Sequence, residues 1–185
     1  KRKCNGCETF KNTSGALIKI LDNRPQIIST ETAYQVTSML EGAVIRGTGK
    51  KLKSLKVPLA GKTGTTNDNY DAWFIGFTSD LVVGVYIGYD DPKSLGKYET
   101  GSKVALPVFR KFVETALYKD DFKSFEVPSG IYFYPVNYDT GEITNFVDTK
   151  SIVESFKEKS SENIKLKNLN FGRNYGKSLK FKGFY

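Results

Sequence analysis

The amino-acid order predicts an α+β fold in which an antiparallel sheet packs against helices. Three observations carry that expectation. Val36, Met39, Leu40, Ala43 and Val44 recur at helical spacing within residues 31–46. Apolar runs near 57–65, 71–77 and 81–89 follow, the last two joined by Thr78-Ser79-Asp80 as in a hairpin. A second helical repeat (Leu106, Phe109, Phe112, Val113, Leu117) begins near Ser102 or Lys103. Helix, antiparallel strands, helix is the order of a sheet covered by helices.

Taken in order, residues 14–21 read as a short strand running into the turn Asp22-Asn23-Arg24-Pro25. Ser29-Thr30-Glu31 supplies a capping hydroxyl and a first-turn carboxylate for the first helix. Arg46 and Gly47 end it with a cation and a C-cap residue. Residues 47–51 read as a flexible basic connector, and Asp90-Asp91-Pro92 closes the strand region. Beyond Asp120 the composition changes. Residues 131–136 and 142–147 flank Asn137-Tyr-Asp-Thr-Gly141 and predict a small C-terminal β-hairpin appendage outside the main sheet. The expected division is 1–120, then a hairpin over 121–150, then a basic, poorly ordered tail over 151–185 with at most a short helix at 151–158.

A chain of 185 residues can bury one solid core, and its 39% hydrophobic and 14% aromatic content fits a folded protein. No apolar run reaches the roughly 20 residues of a membrane-spanning helix. The N-terminus has neither an initiator Met nor an apolar signal region, so the chain is expected to start inside a longer polypeptide. The net charge is +8, with Lys165, Lys167, Arg173, Lys177, Lys180 and Lys182 in the tail. Such a surface suits an anionic membrane face or a cell-wall polymer as well as nucleic acid, and no nucleic-acid partner is expected. The absence of histidine removes Ser-His-Asp and Cys-His catalysis and any His-ligated metal. Cys4 and Cys7 are too few for structural zinc; they could form a local disulfide in an oxidising compartment or remain two thiols. No metal and no cofactor are called for.

The segment with chemical content is Gly61-Lys62-Thr63-Gly64-Thr65-Thr66. Two glycines let a ligand backbone approach the strand, which an extended peptide could then extend as a further strand. Lys62 supplies a cation. Thr63 and Thr65 fall on the same face, where two hydroxyls can grip a carboxylate. The Thr65 N–H could stabilise an oxyanion. Lys-Thr-Gly accompanies a Ser-x-x-Lys nucleophile in serine acyl-enzymes. Alone, the triplet is far better explained as a Gly/Thr-rich edge strand carrying one solvated lysine.

The surrounding sequence narrows that choice. Thr32-Ala-Tyr-Gln-Val-Thr-Ser-Met-Leu-Glu-Gly42, Arg46-Gly-Thr-Gly49 and Leu59-Ala-Gly-Lys-Thr-Gly-Thr-Thr-Asn-Asp68 are the first stretches of a longer match. Asp71-Ala-Trp-Phe, Asp80-Leu-Val-Val-Gly-Val, Gly88-Tyr-Asp-Asp-Pro92 and Glu99-Thr-Gly101 continue it. In this order they resemble the class A penicillin-binding proteins, densely over about residues 24–118. Cys4-x-x-Cys7, 127–131 and 139–141 fit more loosely, and 151–185 match nothing recognisable.

The resemblance implies part of a D,D-transpeptidase fold. Such an enzyme cross-links peptidoglycan stem peptides ending in D-Ala-D-Ala through a serine acyl-enzyme, and β-lactams acylate it. Lys62 would then join the proton and electrostatic network, with Thr65 N–H as half of the oxyanion hole. Thr63, Gly64, Thr65 and Thr66 would line the substrate site. Trp73 would be core or cleft-wall packing. The resemblance also implies a glycosyltransferase domain and an inner-membrane anchor upstream, with this part in the periplasm.

The family order is Ser-x-x-Lys, Ser-x-Asn, Lys-Thr-Gly, and residues 1–61 hold neither of the first two. Ser94-Leu-Gly-Lys97 and Ser161-Glu-Asn163 fit the patterns but lie downstream, in a loop and in the polar tail, and take no catalytic role. The chain is therefore expected to be inactive alone, with its nucleophile in a missing N-terminal half and its core partly uncovered without it. A non-catalytic module binding peptidoglycan or polyanions, and a serine β-lactamase of the same superfamily, are the alternatives.

Overall fold

A computed structural model of the chain describes residues 9–11, 17–19, 25–116, 122–144 and 149–157. Strands β1 (Thr9–Lys11) and β2 (Leu17–Lys19) pair antiparallel, with Phe10 opposite Ile18. The strand expected at 14–21 is represented by β2, whereas β1 was not anticipated. Cys4, Cys7 and Ser161-Glu-Asn163 lie outside the described residues.

Helix α1 (Thr30–Ile45) starts where the capping signal placed it. The Ser29 side chain accepts the Thr32 N–H at 3.3 Å, satisfying one of the donors that a helix start leaves unpaired. At the other end, the Arg46 N–H donates to Gly42 O at 2.8 Å. The apolar stripe read from the sequence needs correction: Val44 is buried, but Val36 and Met39 are exposed. The cause is that α1 packs against two different partners, and one of them meets polar side chains, as described below.

The connector expected to be flexible is ordered. A 3₁₀ turn at Lys50–Leu55 directs Leu52 and Leu55, three residues apart and hence on one side of such a turn, into the core. Three strands follow within the expected ranges: β3 (Ala60–Thr65), β4 (Ala72–Phe77) and β5 (Val82–Ile87). They form an antiparallel sheet in the order β3-β4-β5, with Thr63 opposite Phe74 and Phe74 opposite Val85. The β4–β5 turn is closed by Thr78, whose N–H donates to Leu81 O at 2.9 Å. Its hydroxyl accepts the Asp80 and Leu81 amides.

Helix α2 (Ala105–Ala116) covers one face of this sheet through Leu106, Phe109 and Val113, while Phe112, expected inside, is exposed. Phe74 and Phe109 meet edge to face with centroids 4.7 Å apart. Two missing side chains make room for them. A β-carbon on Gly61 would lie 2.8 Å from the Phe74 ring, and one on Gly76 would lie 2.6 Å from the Phe109 ring. The opposite sheet face leaves Trp73, Ile75, Val82 and Tyr86 exposed.

The C-terminal part departs from the sequence reading. Strand β6 (Ile131–Asn137) pairs with β7 (Ser151–Lys157), and of the second strand expected at 142–147 the described residues, 142–144, show a single bridge, Val136 to Ile143. The turn at Asn137 does form, since Gly141 N–H donates to Asn137 O at 2.9 Å. Residues 151–157 are thus a strand, neither a short helix nor part of a poorly ordered tail. Contacts with α1 decide this. Gln35 Nε2 donates to Ser155 O at 3.0 Å, Arg46 pairs with Glu154 at 3.0 Å, and the Lys157 ammonium donates to the Thr32 hydroxyl. The Tyr34 ring meets Phe133 edge to face, and burial pushes the Tyr34 phenol up to about 12, so it stays neutral.

Two outcomes follow. Phe109→Ala empties the space between α2 and β4 and is expected to cost about 3–5 kcal/mol, read from denaturant unfolding. Burial holds the Glu154 carboxyl above its ordinary range, with Arg46 opposing the shift only in part. A raised folded-state value means that the associated stability is complete below the unfolded carboxylate range and is lost as pH rises through the folded value. Acidification from neutrality is therefore expected to strengthen docking of β7 on α1, and Glu154→Gln should flatten that dependence in thermal unfolding across pH.

Candidate active-site strand

Strand β3 forms one edge of its sheet, and among the described residues no strand pairs with its outer side. Which of its backbone groups face that open edge follows from one bond. Just past the strand, Thr66 N–H donates inward to Asp71 O at 3.0 Å. Because successive amides of a strand point to opposite sides, those of Thr63 and Thr65 point outward. The Thr63 carbonyl agrees, for it is reached from outside by the Lys62 Nζ at 3.0 Å.

Side chains alternate the same way. Thr63 and Thr65 sit opposite Phe74 and Ala72 on the face that carries the helices. The Thr63 hydroxyl lies 2.9 Å from the Thr48 hydroxyl, beyond the end of α1. The Thr65 hydroxyl accepts the Gly101 N–H at 3.1 Å, ahead of α2. Lys62 starts on the other face, but its stem curls back so that Nζ lies 3.0 Å from Thr63 O and 3.4 Å from Thr63 Oγ1. An ammonium, two hydroxyls and two outward amides thus gather along residues 62–65 of the open strand. Gly64 adds no bulk there: its position faces Trp73, whose indole stacks on Tyr86 with centroids 4.7 Å apart.

Thr66 belongs to the loop that follows. Its hydroxyl accepts the Asp71 N–H at 2.7 Å and donates to the Asp71 carboxylate at 3.3 Å. Asp68 and Asn69 take left-handed backbone angles, which these residue types tolerate best after glycine. The loop is tied to residues 94–96 by Leu95 N–H to Asn69 O at 2.8 Å, Asn69 Nδ2 to Gly96 O at 2.9 Å and Ser94 Oγ to Asp68 O at 2.6 Å. Ser94 is therefore a loop fastener, and Lys97 lies over the Tyr98 ring.

Sequence reasoning assigned no role to Thr48, Asp71, Tyr86 or Gly101. Thr48 and Gly101 were visible only as members of the matching stretches, because what they do depends on packing across 15 and 36 residues. Gly101 is nevertheless constrained. A β-carbon there would lie 2.3 Å from Trp73 O and 2.5 Å from Gly64 O.

An antiparallel sheet with helices on one face, and a Lys-Thr-Gly strand lying open at its edge, fits a transpeptidase-type fold. Comparison with known proteins agrees. The family model described as penicillin binding protein transpeptidase domain matches residues 19–114, and the chain belongs to that family. It is 42% identical over 159 residues to penicillin-binding protein 1A of Rickettsia bellii, covering 84% of this chain and 20% of that protein. It is 44% identical over 117 residues to penicillin-binding protein 1A of Pseudomonas aeruginosa, covering 63% of this chain and 14% of that protein. The crystal structure of penicillin-binding protein 1A from Haemophilus influenzae superposes with a TM-score of 0.63 at 30% identity. That match covers 72% of this chain and 21% of the other. The chain thus spans about a fifth of the length of the Rickettsia and Haemophilus relatives.

Gly101→Ala drives a methyl group into two strand carbonyls and is expected to destabilise by at least about 1–3 kcal/mol, visible as a lowered thermal midpoint.

Proposed function

We propose that this chain is the Lys-Thr-Gly wall of a peptidoglycan D,D-transpeptidase. The observation that carries the reading is the open edge of β3, where the Lys62 ammonium, the Thr63 and Thr65 hydroxyls and the outward Thr63 and Thr65 amides lie together. A stem peptide ending in D-Ala-D-Ala pairs with this edge as an added strand. Thr63 and Thr65 hold its terminal carboxylate, with Gly64 and Thr66 lining the same wall. The Thr65 N–H stabilises the oxyanion as the penultimate carbonyl is attacked, and Lys62 supplies positive charge to the proton-transfer network. β-Lactams acylate the same site.

The attacking serine comes from sequence outside this chain. That assignment is supported by the order of the family's motifs and by the share of the relatives' length that the chain covers. The exposed sheet face carrying Trp73, Ile75, Val82 and Tyr86 fits a surface covered by the remainder of the domain. The same remainder brings a glycosyltransferase domain and an inner-membrane anchor, which places this part in the periplasm. Among the described residues no helix is long and apolar enough to cross a membrane.

Labelled penicillin tests the reading. The full-length polypeptide is expected to acquire a covalent label, Lys62→Met to lower its acylation rate by about 10²-fold or more, and the isolated chain to acquire none. Labelling of the isolated chain would overturn the assignment of the nucleophile. A full-length polypeptide that binds D-Ala-D-Ala peptides without ever labelling would make the chain part of a binding module.

A further inference from the structure

The amide that the proposed function uses as an oxyanion donor is aimed by a bond one residue further on. Thr66 N–H donates to Asp71 O, continuing past the strand end the β3–β4 register in which the Thr65 N–H points out. A second layer keeps Thr66 and Asp71 together. The Asp71 N–H donates to Thr66 Oγ1 at 2.7 Å, and Thr66 Oγ1 donates to Asp71 Oδ2 at 3.3 Å. The other carboxylate oxygen, Oδ1, accepts the Tyr86 hydroxyl at 2.9 Å.

Tyr86 reaches this carboxylate from β5, two strands away from β3. Its ring is fixed by the Trp73 indole at 4.7 Å, and Trp73 in turn stands opposite Gly64. Its hydroxyl occupies space left by Gly88, where a β-carbon would lie 2.2 Å from the Tyr86 oxygen and 2.8 Å from Asp71 Oδ1. The hydrogen bond to Asp71 holds the Tyr86 phenol above its ordinary range, so it remains a neutral donor at physiological pH. Segments 64–66, 71–73 and 86–88 therefore converge on one carboxylate at the end of the motif strand.

We infer that Tyr86 and Asp71 are positioning residues for the acylation step: the Tyr86 hydroxyl pins the Asp71 carboxylate, which fixes Thr66 and thereby the outward aim of the Thr65 N–H. This inference rests on the transpeptidase reading for its chemistry, but the aiming of the amide is a property of the fold. The Tyr86 hydroxyl bonds Asp71 and not a strand group of β3, so its effect on the Thr65 N–H passes through Asp71 and Thr66.

The test uses the full-length polypeptide with two readouts, the acylation kinetics of labelled penicillin and amide hydrogen exchange over residues 64–72. Tyr86→Phe removes the hydroxyl and keeps the stacked ring. Gly88→Ala keeps the hydroxyl but displaces it. Both are expected to lower the maximal acylation rate about tenfold, leaving non-covalent penicillin affinity within about twofold. Both should also accelerate exchange at Thr66, whose amide the bond to Asp71 protects. The double variant should lose no more than either single one, because both break the same bond. Asp71→Asn, which keeps an acceptor for Tyr86, should retain most of the rate, whereas Asp71→Ala should not. Unchanged exchange at Thr66 in Tyr86→Phe overturns the positioning role whatever the kinetics. A loss confined to affinity, or additive losses in the double variant, overturns it as well. Failure of the unsubstituted polypeptide to label refutes the transpeptidase reading, and the exchange measurement still decides whether Tyr86 and Asp71 hold the loop.

Discussion

The packing of Phe109 on Phe74 is the contact from which the rest of this structure is organised. Both rings are almost wholly withdrawn from water, and burying a phenylalanine side chain contributes about 1.5–3 kcal/mol each before shape-specific gains. They can approach only because Gly61 and Gly76 face them without side chains. Gly61 is at once part of the motif strand and part of the floor under the core. The seating of α2 on the sheet and the placing of Lys62 one residue further on are thus a single event. Leu52, Leu55 and Val44 close around the same rings from α1 and the turn after it.

Much of what the motif strand presents at its open edge is backbone. The outward amides at Thr63 and Thr65 follow from pairing parity, and parity is fixed by the Thr66–Asp71 bond and the register of Gly64 opposite Trp73. The side chains then divide their duties. Thr63 and Thr65 reach back to the segments that precede β3 and α2, so each hydroxyl has a partner within the fold that restricts its rotamer. Among the described residues no group of three or more His, Cys, Asp or Glu side chains is placed to hold a metal ion.

The sheet and both helices were legible because their signals are local: Ser29 capping α1, Thr78-Ser79-Asp80 between two apolar runs, and the three-to-four spacing of Leu106, Phe109 and Val113. The motif at 61–66 was legible because its residues are adjacent in sequence. What failed was long-range. Strand β7 reads as a tail in the sequence because its support on α1 lies far upstream, and Gln35, Arg46 and Thr32 give no local sign of a strand to come. Val36 and Met39 look like a buried stripe on a helical wheel. The side chains that actually meet β6 and β7 include Thr32, Tyr34, Gln35 and Arg46. Tyr86 and Asp71 are 15 residues apart and become neighbours only through the register of β4 and β5.

The bond from Gln35 to Ser155 also sets a clock. It joins residues 120 positions apart, so α1 leaves the ribosome well before the strand that will cover it exists. At translation rates of about 5–20 residues per second that interval is roughly 6–24 s. The three-stranded sheet and α2, complete by residue 116, can close on α1 within that time. Among the described residues the pair β6–β7 is thus completed last in synthesis, and its partner surface on α1 must wait for it.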